Sequence, residues 1–521
     1  MRKFTNPFPE ICTKYALQFD IASDNSDVKL VRKLIDEVEA FLKNHTDAVY
    51  APLYYCLGTS YGNLRTHGYS ISGATEASIL SSDEIDASLE REIFYFRHCL
   101  ELLDTFELSK EEFKPYIKGL RLQVYTNYAN ALENCGRKAA AMKYYRSVLS
   151  INPSFGMAEG NIGRALQHYS ALIHDLGHKD YLHHFAYRYL KSSLNRTDVH
   201  ESAKKYFEMC VNAYSTEIRE SFLEKQLEIP EYSLGEIEEE TYRKWCLHHH
   251  LFLNPLNDLP QELSCFATDS LQLPDMVTSI EQVEPPKYYG MFNQLKQEYI
   301  YARYLCYAAS TEGEETHFAD KETHLINMFD YPQYSIRVEG LKTAFRQLYS
   351  LFDKVAFLVN DYWELGIHER DINYRTIWLK GYGSGKKYYK YNNVLVLDNN
   401  VALKSMFWIH NEFNKKFGEA NSPYAKNMQI LRNALEHKFV KVHADILWDG
   451  KENQELGQDS FYHITESVLL QHTMDLLEIV REWLIDLTMA IHIEEKKRSE
   501  NYNETAVATM PLIEFEDEWK K

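Results

Sequence analysis

Little in the sequence would interrupt long regular elements, since its 521 residues include only 21 glycines and 14 prolines. The eight cysteines are scattered without a CxxC pair, which excludes both a zinc ribbon and a disulfide framework. No run of about 18 apolar residues occurs, so no membrane span is expected. The amino terminus also lacks an apolar core of signal-peptide length. These absences predict a cytoplasmic protein that makes no contact with a membrane.

Positive charge is also scarce, because the chain has 57 basic and 76 acidic residues and therefore a net charge of −19. An acidic chain is a poor general nucleic-acid coat, since phosphate binding needs clustered lysine and arginine. A local basic patch can still bind nucleic acid. What the chain does have is 45% hydrophobic residues, few helix breakers and enough length for two or three domains. We therefore predict a mainly α protein.

A repeat is the first positive signal. Residues 122–155 have the spacing of one tetratricopeptide repeat, with Gly136 at the turn and small residues, Ala129 and Ala141, where the paired helices approach closely. Degraded copies precede and follow it, as the burial of each repeat's face requires. We predict a TPR-like α-solenoid over residues 1–215. Its groove would bind a protein or peptide ligand, and a plain scaffold is the alternative.

Residues 216–290 are predicted to be an acidic linker and connecting segment. The segment contains three adjacent histidines, His248, His249 and His250. On a helix or a strand these side chains would point in different directions. No further Cys/His pair lies at ligand spacing nearby, so we predict no metal site.

Four later segments carry apolar residues at helical spacing, and we predict that they form a helical bundle over residues 291–495, followed by a tail at 496–521. Single apolar stripes on four helices are buried best when the helices pack together. The predicted helices begin near Met291, Ser335, Pro423 and Ser467.

An insertion at about 367–400 separates the second and third of these helices and is predicted to be a small β-hairpin or ordered loop. Its glycines lack P-loop spacing, and Lys387 stands where serine or threonine is required, so no cofactor is expected. Lysines interleaved with tyrosines suit single-stranded nucleic acid, and a solvated loop is an equal alternative. The lysines predicted to contact substrate are Lys380, Lys386, Lys387 and Lys390, together with Lys441 on the third helix.

The stretch that carries chemistry is "LRNALEHKF", residues 431–439. We predict that its helix starts with Ser422 as the cap and Pro423 as the first residue, and that it continues through Val442. Its apolar stripe comprises Tyr424, Met428, Leu431, Leu435, Phe439 and Val442. Asn433 and His437 are four residues apart and share a face nearly opposite that stripe. Arg432 lies on the flank, one turn from Glu436, with which pairing is possible.

These residue types fit one reaction. Histidine moves protons near neutral pH, arginine holds a phosphate with two parallel donors, and an asparagine amide can orient either group. Together they suit metal-independent cleavage of RNA by its own 2′-hydroxyl group, which DNA lacks. Similar spacing recurs from Arg91 to His98 and from Arg243 to His248, so on spacing alone a surface histidine without a catalytic role is the better interpretation.

The stretch "RNALEHKF" in the third of four helices resembles the R-x(4–6)-H signature of the HEPN superfamily. The stretches "HHHLFLNPLNDLP" and "FNQLKQEYIYARYL" are similar to a bacterial HEPN subfamily often found behind tetratricopeptide repeats. The resemblance covers residues 241–495. It implies a homodimeric ribonuclease with a composite site, in which Arg432 and His437 are the catalytic pair and Asn433 is the polar residue beside the arginine. Phe439 stands where nucleotidylated HEPN toxins commonly have tyrosine.

The sequence thus predicts a TPR-like α-solenoid followed by a HEPN four-helix bundle. We predict a cytoplasmic endoribonuclease that acts as a toxin or effector in bacterial anti-phage defence, with the repeats as sensor or partner-binding module. The alternative is a non-catalytic TPR/HEPN adaptor that only binds protein partners.

Overall fold

The computed structural model of the chain is mainly α-helical. It describes residues 8–70, 82–107, 114–217, 223–224, 227, 229–277, 286–311, 316–327, 330–380, 390–391, 394–395, 397–413, 423–445, 460–501 and 511–520. None of the helices in these ranges is long and apolar enough to cross a membrane.

The first part of the chain is a series of helices in which neighbours along the chain pack against each other. Their bounds are α1 (Glu10–Asp24), α2 (Val28–Leu42), α3 (Ala51–Ser70), α4 (Ser82–Glu107), α5 (Lys114–Asn134), α6 (Lys138–Ile151), α7 (Gly156–Ser170), α8 (Leu176–Leu194) and α9 (Glu201–Glu217).

The helix pair α5–α6 is the repeat found in the sequence. Ala129 and Ala141 are fully buried between its helices, as the small side chains predict. Gly136 in the turn has φ +87°, and a Cβ there would meet the backbone oxygen of Val401 at 2.4 Å. Glycine is therefore required at position 136 for two reasons. The backbone is left-handed there, and a helix from the second half of the chain approaches too closely for a side chain.

The connecting segment contains α10 (Ile237–His248) and a stretch, residues 251–259, whose side chains are buried throughout. The three histidines face different surroundings. His248 pairs with Glu262, His249 lies against the ring of Trp245, and the Nδ1 atom of His250 donates to the Asn257 carbonyl oxygen at 2.5 Å. Residues 251–259 of the connecting segment are therefore part of the core.

The second half is a bundle with the helices α11 (Lys287–Thr311), α12 (Ile336–Tyr362), α13 (Val401–Phe413), α14 (Pro423–His437) and α15 (Glu466–Asn501). The prediction of four helices missed α13, so the described bundle has five. Two short sheets accompany it. β1 (Leu379–Lys380) pairs antiparallel with β2 (Lys390–Tyr391), and β3 (Phe439–His443) pairs parallel with β4 (Phe461–Thr465).

The predicted end of the third helix is wrong. α14 ends at His437, and Phe439, Val440 and Val442 belong to a strand instead of continuing the helix. The cause is non-local, because β3 finds its hydrogen-bonding partner about 20 residues later in β4. Pairing buries Val442 and Ile464 on one face and leaves Phe439 exposed. The predicted cap, Ser422, lies outside the described residues.

The repeats and the bundle share an interface of buried ion pairs. Arg137 at the repeat turn donates from Nη1 to Glu412 of α13 at 2.5 Å and from Nη2 to Glu482 of α15 at 2.6 Å. Arg97 of α4 also pairs with Glu412, at 2.8 Å. The same interface encloses a cavity of about 300 Å³, whose wall includes Ala425 and Met428 of α14. The helix bearing the predicted site is thus in contact with the boundary between the two parts.

His410 of α13 makes the bundle sensitive to acid. It is fully buried among the rings of Trp378 and Phe407, and burial lowers its pKa to about 3. Below about pH 6.5 the His410 side chain is protonated in the unfolded chain but stays neutral in the folded chain. The free energy of unfolding therefore decreases as the pH falls. At pH 5 the loss from this group is about 2 kcal/mol.

We expect His410→Phe to lose less stability than the wild type on acidification from pH 7.5 to 5, as measured by urea unfolding. The exposed His324→Gln variant serves as the control and should keep the wild-type pH dependence. An unchanged slope in the His410 variant would contradict the assignment.

Candidate functional site

The polar residues of α14 face away from the core. Its buried face consists of Ala425, Met428, Leu431 and Ala434, each at most 3% exposed. Asn433 and His437 are exposed on the other side, and Arg432 is half-buried. The helical period therefore predicted the orientation of all three side chains correctly.

Arg432 is held by neighbours on two helices. Its guanidinium carbon lies 5.7 Å from the ring centroid of Tyr349 on α12, and its Nη1 atom donates to Asn433 Oδ1 at 3.2 Å. A guanidinium over an aromatic ring gains a cation–π attraction. Among the described residues no ion pair joins Arg432 to Glu436, the pairing that helical spacing permitted. The contact with Tyr349 and the Asn433 bond orient the arginine instead.

A buried polar network supports Tyr349 from behind. Its hydroxyl oxygen lies 3.0 Å from that of Tyr374, which also accepts from Arg375 Nε at 3.0 Å. The Tyr374 backbone N–H donates to Asp353 at 3.0 Å. Burial raises the pKa of Asp353, while this backbone donor, Arg432 and Arg375 lower it. The network fixes the surface on which Arg432 lies.

Sequence reasoning missed these supporting residues, because Tyr349 and Asp353 lie on α12 and Tyr374 lies in the insertion. A conceivable signal was the four-residue spacing of Tyr349 and Asp353, which brings both side chains to one face of α12. Arg375, which also lies in the insertion, is half-buried in this network.

His437 is the last residue of α14 and is exposed at the end of the helix. One residue, Lys438, separates it from β3. The His437 side chain therefore lies at the junction between α14 and the β3–β4 strand pair.

The lysines predicted to contact substrate lie in different structural environments. Lys380 and Lys390 are register partners at the base of the β1–β2 hairpin, which confirms that the insertion contains a hairpin. Lys386 and Lys387 lie outside the described residues. Lys441 is only 6% exposed and forms an ion pair with Asp330. Its ammonium group is thus engaged by a carboxylate within the fold, and contact of Lys441 with substrate stays a prediction.

Within the described ranges, no group of three or more histidine, cysteine, aspartate or glutamate side chains is placed to hold a metal ion.

Fold and site define a class of protein: a helical-repeat region packed on a helical bundle with an outward-facing arginine, asparagine and histidine. Family comparisons give the particular family. A model described as LA2681-like HEPN matches residues 279–494, and a tetratricopeptide-repeat model matches residues 122–155. The chain therefore contains an LA2681-like HEPN domain at residues 279–494 and a tetratricopeptide repeat at residues 122–155.

Searches of curated proteins and of solved structures returned no match. The HEPN domain indicates a nuclease or RNA-related role, and the repeat indicates protein interaction.

Proposed function

We propose that the chain is a metal-independent endoribonuclease controlled by its helical repeats, and that it serves as an effector of bacterial anti-phage defence. The observation that carries the proposal is the outward placement of Arg432 and His437 on α14 within the matched HEPN domain. Tyr349 and Asn433 brace the arginine, which supports a role in holding a phosphate in fixed orientation.

In the proposed reaction, His437 removes the proton of a 2′-hydroxyl group, and the 2′ oxygen forms a bond to the adjacent phosphorus. The bond from phosphorus to the 5′ oxygen of the next nucleotide breaks, and an imidazolium donates a proton to that oxygen. The products are a 2′,3′-cyclic phosphate and a 5′-hydroxyl end. Arg432 stabilises the added negative charge on the phosphate oxygens, and Asn433 keeps the guanidinium oriented.

Two copies of the chain complete the proposed site. Five residues along a helix correspond to about 140° around its axis and about 7.5 Å along it, so Arg432 and His437 leave α14 in different directions. If two α14 helices meet across a two-fold axis, the arginine of each copy comes close to the histidine of the other. One imidazole then serves as base while the second serves as acid.

The repeats are proposed to act as the sensor because they hold the helices next to α14. Arg137 binds Glu412 of α13 and Glu482 of α15, the helices that precede and follow α14 in the chain. A protein or peptide in the repeat groove would act on these contacts. The proposal divides the chain into repeats at 1–215, a connecting segment at 216–290 and the HEPN bundle at 291–495.

The test is the chemistry of the cleavage ends. The purified chain is incubated in EDTA with an RNA oligonucleotide and, separately, with the all-2′-deoxy version of the same sequence. We expect cleavage of the RNA alone, with 2′,3′-cyclic phosphate ends identified by mass spectrometry.

Cleavage that needs a divalent ion, or that leaves 5′-phosphate ends, would contradict the mechanism. Intact RNA both in this assay and in phage-infected cells expressing the chain would favour the adaptor alternative.

A further inference from the structure

The parallel strand pair after α14 has one apolar face and one aromatic, basic face. Strand alternation places Phe439 and Lys441 of β3 on the same side, opposite Phe461 and His463 of β4. Val442 and Ile464 point to the other side and are 1% and 2% exposed. The apolar face anchors the sheet in the core, so the aromatic face is held in a fixed position.

Phe439 is 68% exposed although it is a large aromatic residue on a well-anchored strand. Its ring centroid lies 5.6 Å from that of Phe461, with 39° between the ring planes. The Lys441 ammonium lies 4.1 Å from the centroid of Phe461. Phe461 is thus fixed by Phe439 and Lys441 together, and it supports Phe439 from the side. The outer surface of the Phe439 ring is available to a ligand.

This ring is next to the proposed reaction site. Phe439 follows His437 by two residues, so their Cα atoms are separated by at most about 7 Å. Arg432 lies five residues, about one and a half turns, before His437 on α14. An exposed aromatic ring this close to the proposed general base, beside a site that also contains a phosphate-binding arginine, has the surroundings that a nucleobase requires, a flat apolar surface with positive charge nearby.

We propose that Phe439, supported by Phe461, stacks on the nucleobase beside the phosphate that is cleaved. A base within a duplex has no free face, so the substrate segment must be unpaired at this point. This inference rests on the proposed ribonuclease function and adds to it a positioning residue outside the arginine, asparagine and histidine of the motif.

The experiment measures RNA binding in a chain that does not cleave. In the His437→Ala background, a fluorescently labelled, unstructured RNA is titrated with protein carrying Phe439, Phe439→Ala or Phe439→Tyr, and anisotropy gives each dissociation constant. The alanine variant is expected to bind about 5- to 150-fold more weakly, and tyrosine should retain binding. A duplex of the same sequence should bind all three equally.

Phe318→Ala, at another exposed aromatic (77%) of the HEPN domain, is the matched control and should bind like the parent. Thermal melting and light scattering establish that the variants fold and keep the parent's oligomeric state. Equal binding by Phe439→Ala, or no RNA binding by the parent, would overturn the inference. Loss of the dimer in that variant would also overturn it, because Phe439 would then be a contact between copies.

Failure of this inference can be distinguished from failure of the proposed function. If the wild type cleaves RNA and Phe439→Ala binds normally, only the stacking role is lost. If Phe439 is needed for binding but the wild type leaves RNA intact, the stacking role stands and the ribonuclease does not.

Discussion

Replacement of His437 with alanine is expected to lower the rate of RNA cleavage by about 10²–10⁴-fold, the usual effect of removing a general acid–base group. The imidazole is exposed at the end of α14, so its truncation leaves no cavity in the core and should leave folding stability unchanged. The measurement is the single-turnover cleavage rate of a labelled RNA, together with the urea unfolding midpoint of each variant.

The matched control is His248→Ala, which removes another exposed histidine at the end of a helix. It should cleave RNA at the wild-type rate. A His437 variant with the wild-type rate would remove the histidine from the mechanism. A mixture of Arg432→Ala and His437→Ala chains offers a further check, since a composite site predicts that mixed dimers regain part of the activity.

Arg481→Met is expected to destabilise the protein by about 3–5 kcal/mol, the cost of leaving a buried charge without its partner. Arg481 of α15 is 3% exposed, and its Nη1 atom lies 2.6 Å from Asp258, which is 1% exposed. It also donates to the backbone oxygens of Phe252 and Asn254. The substitution leaves the Asp258 carboxylate buried and three acceptors without this donor.

Urea unfolding measures this loss, and Arg337→Met is the control. Arg337 of α12 forms an ion pair with Glu466 of α15, the helix that also contains Arg481. The Arg337 side chain is 31% exposed, so its removal should cost about 0–1 kcal/mol. In the double variant Arg481→Met/Asp258→Asn, part of the stability should return because the orphaned charge is gone. Equal effects of Arg481→Met and Arg337→Met would show that the buried pair contributes no more than a surface pair.

Local sequence patterns predicted the elements whose structure depends on near neighbours. The tetratricopeptide spacing located α5 and α6, and Ser335 was correctly placed at the start of α12, where its hydroxyl oxygen accepts from the Val338 backbone N–H. The helical period also gave the correct outward direction of Asn433 and His437. In these cases the deciding interactions lie within one helix or between two helices adjacent in the chain.

The rest depended on partners distant in the sequence. Phe439 and Val442 fit a helical stripe as well as a strand, and only the pairing with β4 selects the strand. Each strand, "FVKVH" and "FYHIT", has some period-two alternation, a signal that favours a strand once both are considered together. Lys441 likewise lies on the strand and not on the helix, and its ion pair joins it to Asp330, a partner distant in the sequence.

The strand pair also determines how long the last turn of α14 stays formed. A helix that ends in solvent opens its last turn at almost no free-energy cost, which would release His437 for much of the time. Here the chain passes from His437 into a ladder with β4, and β4 runs directly into α15. Release of the ladder would expose Val442 and Ile464, at a cost of about 1.5–3 kcal/mol each. The turn that carries His437 is therefore open for roughly one per cent of the time or less.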